Sequence, residues 1–301
     1  MASAAFKRKT QNNQLGKETF VFLQKKLMTI LPFHIIIFSV KYIYILIIKT
    51  KSVKTFLSVV IEAIPNFFLI QRSGLYNLDI LGVEWYISEM LIVMLILYPV
   101  CLKYYDCFSR IIAPALAVFI LGYLSVTTGA LNNSVAWSVI FSKTFLRAFS
   151  EICAGVFTFE VCRNIKRLHF SKMDKVFLTV IEAFSYFMIV FFILYDFPKG
   201  YGATFLIFVC IAVCLSFSDV TYGNTWFNNK VVYYLGSLSL PLYLCQSSMR
   251  DFARFCSGFT EPFFVILIFL ATTFAYALAV KPLERRCRKV INKKIDRLTR
   301  D

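Results

Sequence analysis

The stretch from Gly82 to Leu97, GVEWYISEMLIVMLIL, opens with two carboxylates around a Trp-Tyr pair and closes as uninterrupted hydrocarbon. In water this would be the first turns of a buried helix, and the composition of the rest of the chain decides against that setting. Of the 301 residues 58% are hydrophobic, and the mean hydropathy is +0.68, whereas soluble domains carry about 45–50% apolar residues. In a bilayer the same stretch reads from the rim inward. Trp85 and Tyr86 suit the headgroup level, where amphipathic rings collect. Glu84 beside them can stay wet, while Glu89, about a turn deeper, must turn inward because an ionisable group facing lipid is costly. The stretch therefore predicts the mouth of a polar cavity on the non-cytoplasmic side.

Working outward, segments of the roughly 20 apolar residues needed to cross about 30 Å of hydrocarbon recur along the chain. They predict an all-α polytopic membrane protein with eight transmembrane helices, at about 27–48, 84–103, 111–128, 141–162, 176–196, 201–218, 230–247 and 262–281. Residues 1–26 form a basic N-terminal segment, 27–281 one transmembrane domain and 282–301 a basic tail. The net charge of +16 is concentrated in FKRKTQNNQLGK (6–17), RNIKRLHFSKMDK (163–175) and KPLERRCRKVINKKIDRLTR (281–300). Eight crossings place all three on one side and the uncharged GALNNSVAWS (129–138) on the other, so both termini are expected in the cytoplasm of a cell-membrane protein. The same distribution argues against nucleic acid as a partner. Lys49, Lys51 and Lys54 break the pattern, and KTFLSVVIEAIPNFFLIQ (54–71), with Glu62 and Pro65, reads as an interfacial or re-entrant segment. The nine cysteines show no zinc spacing, and no metal site is expected.

Polar residues inside the spans fall into faces one or two turns apart. His34 and Lys41 share a face of the first span, either as a charged cavity or as a hydrogen-bonded histidine and a lysine that finds a carboxylate. Lys143, Arg147 and Glu151 follow at i, i+4 and i+8, with Gly155 one turn further on. Arg147 and Glu151 either neutralise each other or leave the guanidinium to grip a phosphate or carboxylate. Ser239, Tyr243 and Gln246 make a polar stripe on the seventh span, beside Pro241, whose missing N–H frees backbone groups. Their alternative is helix-helix hydrogen bonding. Glu182, alone in the fifth span, requires a partner that the sequence does not identify.

Taken in order, FLQKKLMTILPFHI (22–35), WYISEMLIVMLILYP (85–99), LRAFSEICAGVF (146–157), LGSLSLPLYLCQ (235–246) and AYALAVKPLERR (275–286) resemble successive blocks of the acyltransferase-3 family of membrane-bound O-acyltransferases. The resemblance runs from about residue 17 to 290. It implies the last eight helices of a ten-helix bundle, with the first two, and the histidine regarded as catalytic on the first, having no counterpart here. The arginine pair of the family's third helix falls on Lys26 and Thr29, and its late histidine on Gln246.

What the resemblance implies is transfer of an acyl group, acetyl above all, from acyl-CoA to a hydroxyl of a cell-surface or exported carbohydrate. Acyl-CoA would be a donor substrate, with no resident cofactor. Lys25, Lys26 and Arg147 would hold the donor phosphates, and Trp85, Glu151, Ser239, Tyr243 and Gln246 are further binding candidates. Glu84 and Glu89 are the stand-ins for the missing base, and a complementing N-terminal fragment is an expected partner for activity. Two other readings use the same residues: a transporter or flippase, and a non-catalytic membrane subunit. The lack of an internal repeat weighs against transporters built from inverted halves.

Overall fold

The computed structural model describes residues 1–8, 14–49, 52–70, 85–128, 137–138, 141–195, 201–256 and 262–298. It is nearly all helical. In chain order the elements are α1 (Ala2–Arg8), α2 (Leu15–Lys49), α3 (Val53–Phe67), α4 (Trp85–Lys103), α5 (Tyr105–Cys107), a π-helical turn (Phe108–Ile112) and α6 (Ala113–Thr128). A two-residue hairpin, β1 (Trp137–Ser138) with β2 (Phe141–Ser142), precedes α7 (Lys143–Ile165) and α8 (Lys172–Leu194). Then come α9 (Gly202–Phe217), α10 (Gly223–Phe227), α11 (Lys230–Gly236), α12 (Ser239–Cys256) and α13 (Pro262–Leu298).

Among the described residues five segments are long and apolar enough to cross a membrane: Leu15–Ile47, Trp85–Lys103, Tyr105–Thr127, Lys172–Leu194 and Phe263–Arg288. Their outward faces confirm the solvent they are built for. Val118, Phe119 and Val126 on α6, Phe177, Phe184 and Phe187 on α8, and Phe263, Ile266 and Leu270 on α13 are all exposed. Apolar surface on that scale is not compatible with water around a monomer. This is an all-α membrane protein.

The other three expected spans differ from those five for local reasons. α7 is 23 residues long, but Lys143, Arg147, Glu151, Glu160 and Arg163 interrupt its hydrocarbon. α9 has only 16 residues, about 24 Å at 1.5 Å per residue. The expected span at 230–247 is not one helix: it breaks at Ser237 and Leu238 between α11 and α12. Pro241 causes the break, because it cannot donate to the Ser237 carbonyl and its ring crowds that carbonyl. Pro241 thus lies in the first turn of a new helix, where a missing N–H costs nothing. Two boundaries also move, since α2 begins at Leu15 and α13 runs unbroken through Pro282 to Leu298.

The chain forms two compact units, one of Met1–Val21 with Glu89–Val232, the other of Phe22–Ser88 with Tyr233–Asp301. In the first, α6, α7, α8 and α9 pack through small residues such as Ala117, Ala148, Cys153 and Ala212, all buried, which lets helix backbones approach without a hydrophobic drive in lipid. The π turn sits just before Pro114, whose missing N–H disrupts the α-helical ladder at Arg110. In the second, α12 pairs with α13.

α3, in the second unit, covers most of the 54–71 segment. Its 15 residues span about 22 Å at 1.5 Å each, short of a crossing. Ser52 and Thr55 form a capping box at its start. At its end Leu69 takes φ 58°, with Leu69 N–H bonded to Asn66 O and Ile70 N–H to Pro65 O, a Schellman stop. His34 Nε2 donates to the Phe67 carbonyl at 3.1 Å. Since His34 lies 15 residues before the end of α2, α3 turns back and brings its last turn against the middle of α2.

Candidate functional site

The structure places Glu89, Arg147 and Glu151 in the first unit and Lys25, Lys26, Trp85, Ser239, Tyr243 and Gln246 in the second. Glu84 lies outside the described residues.

Glu89 is 1% exposed and sits against the start of α7. Ser142 is the N-cap of that helix, extended in backbone, with its Oγ accepting from Phe145 N–H at 3.1 Å. The same Ser142 hydroxyl lies 3.2 Å from Glu89 Oε1, and Thr144 Oγ1 donates to Oε1 at 2.9 Å. Two hydroxyls and the first turn of a helix thus converge on the Glu89 side chain. Trp85 and Tyr86, edge to face at 5.6 Å, occupy the turn before it on α4. The inward turn expected of Glu89 is what the structure shows.

Further along α7, Arg147 Nε donates to Glu151 Oε1 at 2.8 Å. The pair neutralises itself, which is the first of the two alternatives for these residues. Near the other end of α7 is a cluster that the sequence reading missed. Glu160, 1% exposed, accepts from Arg163 Nη2 at 2.5 Å, Arg110 Nε at 3.0 Å and Tyr105 Oη at 3.2 Å. The Arg163 guanidinium lies 4.1 Å from the Phe6 ring centre, tying α1 into the same cluster. The only sequence signal was the i, i+3 spacing of Glu160 and Arg163.

Glu182 has its partner in Ser216, whose Oγ donates to Oε1 at 2.5 Å and is itself 2.9 Å from Tyr186 Oη. Its Oε2 is buried without a hydrogen bond and presses on Gly223, where an added Cβ would stand 2.6 Å away. Gly223→Ala must push the carboxylate aside and sacrifice the Ser216 bond, at about 1–3 kcal/mol. The expected drop in melting temperature in detergent should vanish in a Glu182→Ala background, and an unchanged melting temperature for the single variant would show that Glu182 relocates freely.

In the second unit Lys25 and Lys26 are exposed on α2, with Lys26 Nζ 5.9 Å from the Phe22 ring centre. Ser239 is exposed in the first turn of α12, while Tyr243 and Gln246 are half-buried on the next two turns. The stripe does not end there. Lys41 Nζ donates to Ser247 Oγ at 2.9 Å and pairs with Asp251 Oδ2 at 3.2 Å, the carboxylate partner that one of its two alternatives required. No family model, curated protein or solved structure matches this chain.

Proposed function

We infer that this protein is an integral membrane O-acyltransferase, moving an acyl group, acetyl above all, from acyl-CoA to a hydroxyl of a cell-surface or exported carbohydrate. The observation that carries the reading is the buried Glu89 carboxylate, fixed by Ser142 and Thr144 at the head of α7. The five sequence blocks resembling the acyltransferase-3 family occur in family order around it.

In this reading Glu89 takes the proton from the acceptor hydroxyl as its oxygen attacks the thioester carbonyl. The tetrahedral intermediate then expels the CoA thiolate, which recovers that proton, leaving an ester on the sugar and free CoA. Lys25 and Lys26, both exposed, attract the donor phosphates. Arg147, already paired with Glu151, is the weaker candidate for that task. An eight-crossing arrangement with cytoplasmic termini belongs to the same reading, with α7, α9 and the broken α11–α12 pair as the remaining crossings.

The test is reconstitution of the full chain in liposomes with acetyl-labelled acetyl-CoA and a mixed surface-glycan extract, with and without an added two-helix N-terminal fragment bearing a histidine. Label should enter glycan as an alkali-labile ester in at least one arm. Absence of transfer in both would end this reading. The burial of Lys41 and Glu182 on apolar helices favours transport as the second reading, which predicts movement of a glycolipid across the bilayer with no ester formed.

A further inference from the structure

In the first unit α6, α7, α8 and α9 leave between them a groove of about 450 Å³. Ala117, Ala154 and Ala203, one on each of α6, α7 and α9, line it, and larger side chains at those positions would fill it. Two other lining residues, Val118 and Ile207, are 70% and 58% exposed, so the groove opens sideways, on a face that meets lipid. Nothing in it reads a polar ligand. Thr158 is the one hydroxyl of the lining, and its Oγ1 donates to the Ala154 carbonyl at 2.8 Å.

Length narrows the choice of occupant. From Ala154 to Ile165 the lining of α7 rises about 16 Å at 1.5 Å per residue. That is the depth of one leaflet, half of a hydrocarbon core about 30 Å thick. A lipid chain standing in that leaflet matches the groove in polarity and in reach.

Charge then selects among lipids. Pro114, Ile165 and Leu178 mark one end of the groove, and each has a cation within about a turn beyond it: Arg110, Lys166 and Lys175. Between residues 160 and 175 five cations stand against two acids. Glu160 is shared by Arg110 and Arg163, and Asp174 caps α8 through Ser171. Lys166 pairs with Asp219, but their side chains are 43% and 60% exposed, which makes the pair weak enough for a phosphate to displace. Lys175 is half-buried and has no ion pair among the described residues. Basic pockets between membrane helices suit anionic headgroups.

We propose that this groove binds one anionic phospholipid of the bilayer, with an acyl chain lying between α6, α7 and α9 and the phosphate held by Lys166 and Lys175. The site serves the protein whatever reaction it carries out.

The full chain in a neutral detergent is titrated with dioleoyl-phosphatidylglycerol or dioleoyl-phosphatidylcholine, and the lipid retained per chain is counted by native mass spectrometry. One phosphatidylglycerol should stay bound, in preference to phosphatidylcholine. Lys166→Gln combined with Lys175→Gln should weaken it by about 30-fold, two lysines at about fivefold each. Ala203→Phe fills the groove and should abolish retention with an unchanged or higher melting temperature. Ile207→Trp, at the exposed rim, supplies the same reading if Ala203→Phe does not fold. Excess glycerol phosphate should displace nothing. Equal retention of the two lipids, or of neither, overturns the proposal. So does retention that responds to the lysines but to neither groove variant, which would be surface attraction alone, and so does displacement by glycerol phosphate, which would mark a site for a soluble anion.

Discussion

Replacing Glu160 by alanine is expected to destabilise the protein by about 3–5 kcal/mol, because it leaves a buried guanidinium without its counter-charge. Arg163 carries the effect. Its side chain is 14% exposed and its partner's is 2% exposed, so neither charge can be rehydrated where it stands. Arg110, at 54% exposed, contributes on the scale of a surface pair, about 0–1 kcal/mol. The comparison of single variants follows from those exposures: Glu160→Ala should lower the melting temperature in detergent far more than Arg110→Ala. A double variant, Glu160→Leu with Arg163→Met, should recover much of the loss, since apolar replacement of a whole buried pair is often neutral. The Phe6 ring stacked on Arg163 adds a second readout. In Glu160→Ala the α1 segment should become sensitive to protease, because its anchor has lost its own support. If Glu160→Ala melts with the wild type, the cluster is water-filled and the buried-pair argument is wrong.

How much of this was visible in the chain itself depends on whether the signal was local. Hydrocarbon runs are local, and α4, α6 and α8 formed close to where they were expected, while α2 and α13 contain their expected spans and run well beyond one end of them. So was the alternation of charge at Arg147 and Glu151, whose pairing needs only one helix. The break at Ser237 and Leu238 was also encoded locally, in Gly236 and Pro241, but hydropathy averages over a window longer than the break and hides it. What could not be read was the partner across helices. Lys41 meets Asp251 from 210 positions away, and the expected span ended before Asp251, which therefore counted as outside the membrane. Glu182 and Ser216, or Tyr105 and Glu160, are of the same kind, because a serine or tyrosine on an apolar helix carries no mark of which neighbour it will face. Glu89 is the instructive intermediate. Its inward turn followed from lipid outside, while its cradle of Ser142 and Thr144 came from the first turn of α7, where the hairpin ends and the helix is capped.

That cradle makes Glu89→Gln the sharpest test of the enzyme reading. The amide has the shape of the carboxylate and keeps an oxygen for the Ser142 and Thr144 hydroxyls, which lie 3.2 and 2.9 Å from Oε1. It cannot take a proton. If Glu89 is the general base, turnover should fall by about 10²–10⁴-fold, the usual worth of general base catalysis. The KM for acyl-CoA should hold, since donor binding is assigned to Lys25 and Lys26, whose joint replacement by alanine should raise that KM instead. Melting temperature separates this from a structural role. A purely structural Glu89 loses charge-assisted hydrogen bonds worth about 1.5–3 kcal/mol each at most, so the variant would melt earlier and turn over normally once folded. A base loses turnover in protein that still folds. Full activity in Glu89→Gln would therefore take the role of base from Glu89 and leave it to Glu84 or to a histidine on the added N-terminal fragment.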